Sequence, residues 1–196
     1  NVTTYHQYAT AIPIGTLLAQ TWDPDVIEEV GKMIGHEMLE FGVAWWLAPG
    51  MNIHRNPLCG RNFEYYSEDP FIAGKIAAAM TKGVQSIPGI GTTIKHYAAN
   101  NQEDNRQFSN SILSERTLRE IYLRGFEIAV KESQPMCIMT SYNLINGVPA
   151  ANNTDLITTA LRGEWDFQGI VMTDWTTTSF GSATPHKCAE AGNDLI

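Results

Sequence analysis

The chain has 196 residues with 43% hydrophobic content, which is enough to bury the core of one domain or of part of a larger one. Its formal net charge of −8, with no run of Lys and Arg interleaved with aromatic residues, excludes nucleic acid as an expected partner. No apolar stretch approaches the length of a membrane span, so we expect no membrane partner and a soluble protein, cytoplasmic or secreted.

The first half of the chain predicts two amphipathic helices with a short strand between them. Asp23-Pro24 combines an N-cap residue with a proline at the first helical position, and apolar residues then recur at spacings of three and four up to Gly42. The apolar run from Val43 to Leu47 predicts a strand, because Pro49-Gly50 follows it. A second helix is predicted from Phe71 to about Val84.

The segment between the first strand and the second helix is a long loop rich in charged and aromatic residues. It runs from Asn52 to Pro70, which is too long for a simple connector and indicates a functional loop. Arg61 offers forked donors that suit hydroxyl pairs or carboxylates, and the alternative is an internal clamp to one of the acidic residues of the loop. We favour a ligand-binding role for Arg61 and a structural role for Arg55.

The second half of the chain alternates strands and helices. Strands are predicted at Thr92–Tyr97, Met136–Thr140 and Gly169–Thr173, and helices from Glu115, capped by Ser114, to about Lys131 and from Thr154 to about Trp165. This alternation predicts parallel strands joined by right-handed helical crossovers.

Polar or charged side chains stand at the ends of three predicted strands. They are Lys95 and His96, Tyr142 and Asn143, and Asp174 followed by Trp175. In a (β/α)8 barrel the C-terminal ends of the strands converge on one mouth, so these residues can face one small ligand. A doubly wound sheet gathers strand ends only at its switch point and usually has a glycine-rich first turn, which is missing here. The predicted fold class is α/β, a (β/α)8 TIM-barrel-like domain.

Each of these strand-end residues has a functional and a structural interpretation. Asp174 is the catalytic candidate, and the alternative is a carboxylate that only caps the next helix or turn. Trp175 suits packing against a sugar ring, and the alternative is a core tryptophan. Lys95 and His96 suit donation to sugar hydroxyls or a role as base, and the alternative is a polar core network. From the amide-rich and charged stretch 100–106 we single out Arg106.

Motifs for metals and cofactors are missing. The chain has no CxxC or HxH pair, and His36-Glu37-Met38-Leu39-Glu40 lacks the second histidine of a zinc-binding helix. Gly89-Ile90-Gly91 lacks the residues that complete a phosphate-binding loop. We therefore expect neither a metal nor another cofactor.

With these motifs in view, the chain resembles the N-terminal barrel domain of glycoside hydrolase family 3, especially its β-glucosidases. The resemblance spans nearly all of the chain and rests on the order and spacing of several blocks. The blocks are Leu47-Ala48-Pro49-Gly50-Met51-Asn52 and the loop to Asp69, Lys95-His96 with Asn100-Asn101-Gln102-Glu103, Ser141-Tyr142-Asn143 before Asn146-Gly147, and Met172-Thr173-Asp174-Trp175.

The resemblance implies a retaining glycosidase that removes terminal non-reducing β-D-glucosyl residues through a covalent glycosyl-enzyme on Asp174. The positions that match the residues surrounding the terminal sugar in the family are Arg61, Lys95, His96, Arg106, Met139 and Tyr142, with Trp175 at the edge of the pocket. The cations among them are expected to favour the charged form of Asp174. The expected ligand is a small β-glucoside or oligosaccharide.

A retaining glycosidase also needs a second carboxyl group roughly 5 Å from the nucleophile. In the family this acid/base usually comes from a second α/β domain, and the Asp-Gly-Pro motif that supplies a sugar-binding aspartate does not occur in this sequence. We therefore expect residues 1–196 to form part of one barrel domain, with Asp194-Leu195-Ile196 starting another strand. The first strands and the second domain would belong to the remainder of the enzyme, as its partner.

Three other interpretations stay open. A β-xylosidase or another exo-β-glycosidase of the same family differs from a β-glucosidase in contacts that lie partly outside this segment. A β-N-acetylhexosaminidase ranks lower, because Tyr97-Ala98-Ala99-Asn100-Asn101 lacks the histidine that those enzymes carry in this loop. The third interpretation belongs to a different functional class, in which the chain is a non-catalytic sugar-binding fragment.

Overall fold

The computed structural model describes residues 7–196 of the chain. The strands in this part are β1 (Trp45–Trp46), β2 (Gly91–Tyr97), β3 (Asn110–Ser111), β4 (Cys137–Thr140), β5 (Leu144–Ile145), β6 (Val148–Pro149) and β7 (Ile170–Met172). The main sheet is parallel and has the order β1-β2-β4-β7, and the three short strands form a second sheet. The main sheet keeps the order of the chain throughout, as a (β/α)8 barrel does, whereas a doubly wound sheet reverses it. The predicted α/β fold is confirmed.

The described residues also form α-helices before, between and after the strands of the main sheet. They are α1 (Gly15–Ala19), α2 (Pro24–Glu40), α3 (Pro70–Gln85), α4 (Glu115–Thr117), α5 (Arg124–Ser133), α6 (Thr177–Phe180) and α7 (Pro185–Ala191). Two segments, Leu118–Tyr122 and Asp155–Glu164, are π-helical, and Asn62–Glu64 and Ala150–Asn152 form 3₁₀ turns. Within residues 7–196, none of the helices combines the length and apolar character that crossing a bilayer needs.

The predicted helix starts are confirmed, but two helices differ from the prediction in type. The side chain of Asp23 accepts from the first backbone N–H groups of α2, and that of Ser114 accepts from the Thr117 N–H. The helix expected from Glu115 to Lys131 is interrupted by a π-helical turn, and the segment expected as an α-helix from Thr154 is π-helical. Over so few residues, both helix types bury the same apolar positions, so periodicity does not distinguish them.

The strand predicted from Val43 to Leu47 shortens to Trp45–Trp46, and both ends of the predicted run are exposed. Trp45 and Trp46 are half-buried rather than core residues, because β1 lies at an edge of the sheet with a partner strand on one side only within the described part of the chain. At the other edge, Met172 forms a parallel bridge with Leu195. The predicted start of another strand near the C-terminus is therefore present as a single bridge.

Helices α2 and α3 pack against each other and approach closely at glycines. A Cβ atom on Gly83 would lie 2.2 Å from the Glu28 carbonyl oxygen, and one on Gly31 would lie 2.7 Å from that of Met80. Backbone atoms cannot move aside as a flexible side chain can. Helix α3 also contacts β2, and fully buried Ile27 of α2 and Ile94 of β2 belong to the same core cluster. The close helix contact is therefore part of the core on which β2 rests.

Gly83→Ala should lower the free energy of unfolding by about 1–3 kcal/mol, because the added methyl group collides with the backbone of α2. Gly163→Ala is the matched control, since its Cβ would lie at an ordinary van der Waals distance of 3.4 Å from the Thr158 carbonyl oxygen. We expect a change within about 0.5 kcal/mol, or a gain, for that variant. Urea unfolding curves measure both, and equal stability of Gly83→Ala and wild type would contradict the role of the contact.

Candidate active site

The C-terminal ends of the main strands open on a cavity of about 410 Å³. All eight side chains singled out from the sequence line it, namely Arg61, Lys95, His96, Arg106, Met139, Tyr142, Asp174 and Trp175, and Leu47, Met172 and Thr173 complete its wall. A concave site of this volume suits a small ligand. The structure thus brings the predicted residues together, while their individual roles stay predictions.

An irregularity at the end of β2 turns two adjacent side chains into the cavity. Ile94 pairs with Ile138 and Tyr97 with Thr140, so β2 has one residue more than β4 over this interval. Successive side chains of a regular strand point to opposite faces, and an extra residue breaks this alternation. Lys95 and His96 can therefore both line the cavity. The Lys95–His96 and Tyr97–Ala98 peptide bonds in this stretch are cis.

Asp174 lies just after β7, with its side chain 14% exposed. Its backbone carbonyl closes the following turn, accepting from the Thr177 N–H at 3.2 Å and from the Thr177 hydroxyl at 2.7 Å. The N-cap of α6 is Thr176, and no side chain caps this helix. The carboxylate of Asp174 is therefore not used as a helix cap, which was the alternative interpretation from the sequence, and it faces the cavity instead.

Arg106, Lys95 and Arg61 each favour the charged form of Asp174 as expected, but they do not determine the net direction of its pKa. Burial raises the pKa of this carboxyl group above its ordinary value, although Arg106, Lys95 and Arg61 each act in the opposite direction. Both arginines are bound to carboxylates of their own, Arg61 to Glu64 and Arg106 to Glu103. Their charge is thereby partly neutralised, and desolvation of Asp174 outweighs it.

Arg61 combines the two roles that the sequence left open. Its Nε and Nη2 atoms donate to the two carboxylate oxygens of Glu64 at 2.8 and 2.7 Å, so it clamps the loop. Its Nη1 atom lies 3.0 Å from Nε2 of His96 in the wall of the cavity. Lys95 approaches the same carboxylate at 3.8 Å, and burial, with Arg61 adding to it, lowers the pKa of Lys95. Glu64 therefore serves as counter-ion to both cations.

Arg106, Tyr142 and Trp175 form the opposite side of the cavity. The Arg106 guanidinium lies 4.9 Å from the centre of the Tyr142 ring and donates to Glu103 at 2.8 Å. The Tyr142 hydroxyl donates to the backbone carbonyl of Trp175, which ties the loop after β4 to the loop after β7. The Trp175 residue is 76% exposed, so it lies at the rim rather than in the core.

His96 is a buried, neutral imidazole. Burial, reinforced by Arg61, Lys95 and Arg106, lowers the pKa of this residue well below its ordinary value. Its Nε2 atom lies 3.8 Å from Oδ2 of Asp174, which is too long for a hydrogen bond, and without a proton charge the two do not form an ion pair.

Most supporting residues of the site escaped prediction from the sequence, but a clamp between Arg61 and an acidic residue of its loop, which is Glu64 in the structure, was one of the two expected roles. Asn52 and Tyr65 contact His96, Glu64 anchors Arg61, and Glu103 anchors Arg106. The available signal was the spacing of three between each arginine and its glutamate, which on a turn brings the pair together.

Among the described residues, Asp174 is the only carboxylate that lines the cavity. Glu64 and Glu103 bind their arginines and do not belong to the lining. In the described residues no group of three His, Cys, Asp or Glu side chains could hold a metal ion. The charged groups of the described lining are therefore one partly buried carboxylate and three cations.

Strand order and site together fit part of an α/β-barrel domain, with one partly buried carboxylate among hydrogen-bond donors at the strand ends. The chain belongs to glycoside hydrolase family 3, since the model of the family described as "Glycosyl hydrolase family 3 N terminal domain" matches residues 2–194. The resemblance seen in the sequence is confirmed.

Relatives and solved structures agree with this membership. Beta-glucosidase A of Butyrivibrio fibrisolvens is 52% identical over 95% of the chain, and an exo-alpha-(1->6)-L-arabinopyranosidase of Bifidobacterium breve is 52% identical over 85% of it. Beta-glucosidase 3B of Thermotoga neapolitana, solved in complex with alpha-D-glucose, is 54% identical and superimposes with a TM-score of 0.92 over 96% of this chain and 26% of its own. The chain spans only 22% of the length of each of the two curated relatives.

Asp174→Asn should increase the stability of the protein at pH 7 by on the order of 1 kcal/mol. The pKa of Asp174 is higher in the native state than in the unfolded state. As pH falls, the native state therefore binds a proton first, and the stability of the protein rises between the two pKa values. At pH 7 the buried charge is therefore unfavourable, and the amide removes it. The gain should shrink below the native pKa, where the wild-type carboxyl group is also neutral.

Urea unfolding of wild type and variant across pH measures this effect. The exposed Asp104 supplies the control, because Asp104→Asn should change stability by less than about 0.5 kcal/mol. A lower stability of Asp174→Asn than of wild type at pH 7 would show that the ionised carboxylate is stabilising.

Proposed function

We propose that this chain carries the nucleophile of a retaining β-glycoside hydrolase that removes terminal non-reducing β-D-glucosyl residues. The observation that carries the proposal is the placement of Asp174, the one carboxylate lining a cavity at the strand ends of a family 3 domain. The other proposed pocket residues line the same cavity as Asp174. The β-glucosidase names of the relatives and the glucose bound to a similar structure support the choice of sugar.

In the proposed reaction the Asp174 carboxylate attacks the anomeric carbon as the bond to the leaving oxygen breaks. The leaving oxygen takes a proton from a general acid, and a glycosyl ester of Asp174 remains. Water then attacks the same carbon, gives its proton to the same acid/base group and releases Asp174. Two displacements at one carbon retain its configuration.

The other pocket residues are proposed to bind and orient the sugar. Arg61, Lys95 and Arg106 donate to hydroxyl groups, and such partly buried donors discriminate against a sugar that lacks the matching hydroxyl, because a donor that the bound sugar shields from water is then left unpaired. The exposed indole of Trp175 offers an apolar face at the rim, where the C–H face of a pyranose can pack. Met139 supplies apolar wall.

The acid/base is proposed to come from outside this chain. No second carboxylate lines the cavity in the described residues, and a retaining mechanism needs one at about 5 Å from the nucleophile. The relatives are more than four times as long as the segment they share with this chain, which leaves room for a further domain in the whole enzyme. The proposed partner of the chain is thus the remainder of the same enzyme.

A second candidate is another exo-glycosidase activity on the same scaffold. The arabinopyranosidase of Bifidobacterium breve is as similar to the chain as Beta-glucosidase A of Butyrivibrio fibrisolvens, at 52% identity each. Ratios of kcat/KM for the aryl β-D-glucoside, β-D-xyloside and α-L-arabinopyranoside decide between these activities. A non-catalytic sugar-binding fragment is the third candidate, and the variants below test it.

In the full-length enzyme, a 2-deoxy-2-fluoro-β-D-glucoside with a good leaving group should attach its sugar covalently to Asp174, as peptide mapping by mass spectrometry will show. Asp174→Ala should lower kcat by about 10³-fold or more while sugar binding persists, because only the covalent step loses its nucleophile. Asp104→Asn, a carboxylate outside the cavity, is the control and should retain full activity. Attachment to another residue, or full hydrolysis by Asp174→Ala, would refute the assignment.

The 196-residue chain by itself should hydrolyse cellobiose and alkyl glucosides on the order of 10²–10⁴-fold more slowly than the full-length enzyme, because it lacks the general acid. A dinitrophenyl glucoside should lose much less of its first-step rate, since its leaving group needs no protonation. Release of dinitrophenol, compared with release of glucose from cellobiose, separates the two cases. Efficient cellobiose hydrolysis by the isolated chain would place the acid/base within it.

A further inference from the structure

We propose that Asn52 is a positioning residue that holds His96 with its proton on Nδ1, so that Nε2 offers a hydrogen-bond acceptor to a sugar hydroxyl beside the Arg61 donor. This inference deepens the proposed function and rests on it for the identity of the ligand. It assigns to Asn52 a role in reading hydroxyl groups, although Asn52 itself does not line the cavity.

The orientation of the Asn52 amide is fixed by the backbone of His96. The His96 N–H donates to Oδ1 of Asn52 at 2.9 Å, and Nδ2 of Asn52 donates to the His96 carbonyl oxygen at 2.9 Å. A backbone N–H only donates and a carbonyl oxygen only accepts, so the reversed amide would oppose both groups. Asn52 is also buried, so water cannot take over either contact.

This fixed amide determines which ring nitrogen of His96 carries the proton. Oδ1 of Asn52, an acceptor only, lies 3.3 Å from Nδ1. Nη1 of Arg61, a donor only, lies 3.0 Å from Nε2. The Tyr65 hydroxyl lies 3.2 Å from Nδ1, but a hydroxyl donates or accepts and so does not distinguish the tautomers. A proton on Nδ1 satisfies both discriminating contacts, whereas a proton on Nε2 opposes both.

The resulting acceptor faces the reacting end of the cavity. Nε2 of His96 lies 3.8 Å from Oδ2 of Asp174, and His96 itself lines the wall. Nε2 has one lone pair, so a hydroxyl group that donates to it takes the place of the Arg61 N–H, which is then free to donate to the oxygen of that hydroxyl. A hydroxyl group can accept from Arg61 and donate to His96 at the same time. A fluorine in its place can accept but not donate, and a hydrogen can do neither.

Imidazole nitrogen NMR of the 15N-labelled chain tests the tautomer without any sugar or turnover. We expect a protonated Nδ1 and an unprotonated Nε2 for His96, assigned by the loss of its signals in His96→Gln. A protonated Nε2, or signals that average between the tautomers, would overturn the proposal. Because this measurement needs no activity, its outcome is independent of whether the proposed hydrolysis is correct.

Two matched variants test the positioning role. Asn52→Leu removes the fixed acceptor, so the two nitrogen signals of His96 should move towards each other. Tyr65→Phe removes the contact that does not discriminate and should leave the pattern unchanged. Asn52→Asp keeps an oxygen opposite Nδ1 and should keep the proton there, which provides a second test if Asn52→Leu does not fold. An unchanged wild-type pattern in Asn52→Leu, or loss of the Nδ1 proton in Asn52→Asp, would contradict the role.

Inhibition of the full-length enzyme by deoxyglucoses and deoxyfluoroglucoses tests the reading of the hydroxyl. At one ring position, fluorine should weaken inhibition as much as hydrogen does, by about tenfold or more, because neither of them can donate to Nε2 of His96. If fluorine is tolerated better than hydrogen at every position, no hydroxyl donates to His96 and the proposal fails. Absence of glycosidase activity with the predicted tautomer intact would instead refute the proposed function.

Discussion

The pairing of β2 with β4 is the constraint on which the site depends. The extra residue between Ile94 and Tyr97 presents Lys95 and His96 to one side of the sheet. Through the backbone of His96, the same stretch holds Asn52 and thereby the start of the long loop that carries Arg61. A regular strand would have turned one of the two side chains away from the cavity and left that loop without its anchor.

Burial and charge act against each other at Asp174. The carboxylate proposed as nucleophile must be ionised to attack. Desolvation raises the pKa of Asp174, however, and the surrounding cations only reduce this rise. A pocket that held the carboxylate at a low pKa would also have made it a weaker base and a poorer nucleophile. The observed balance of a partly desolvated carboxylate with nearby cations is typical of sites that perform chemistry rather than of structural ion pairs.

Much of the fold, and the set of residues that line the site, could be predicted from the sequence, because both depend on local signals. Asp23 and Ser114 indicate where two helices begin. The apolar runs before Lys95 and Asp174 indicate strand ends, which a parallel sheet brings together at one edge. The π-helical segments, the extra residue in β2 and the net direction of the Asp174 pKa were not predictable, since each depends on packing between distant segments. The amide of Asn52 gave no signal because its partner is a backbone group far along the chain.

The counter-ions of the two arginines have a consequence for the kind of molecule that approaches the cavity. Each arginine has its glutamate three residues away, so Arg61, Lys95 and Arg106 are matched in number by Glu64, Glu103 and Asp174. Around a site whose charges cancel, the long-range field is weak, and the chain as a whole is acidic. Anionic molecules gain nothing from diffusion towards such a cavity, whereas an uncharged ligand of the kind proposed meets the donors only once it is inside. The proposed site would thus discriminate by contact rather than by attraction, and its encounter rate with an uncharged ligand should depend little on ionic strength.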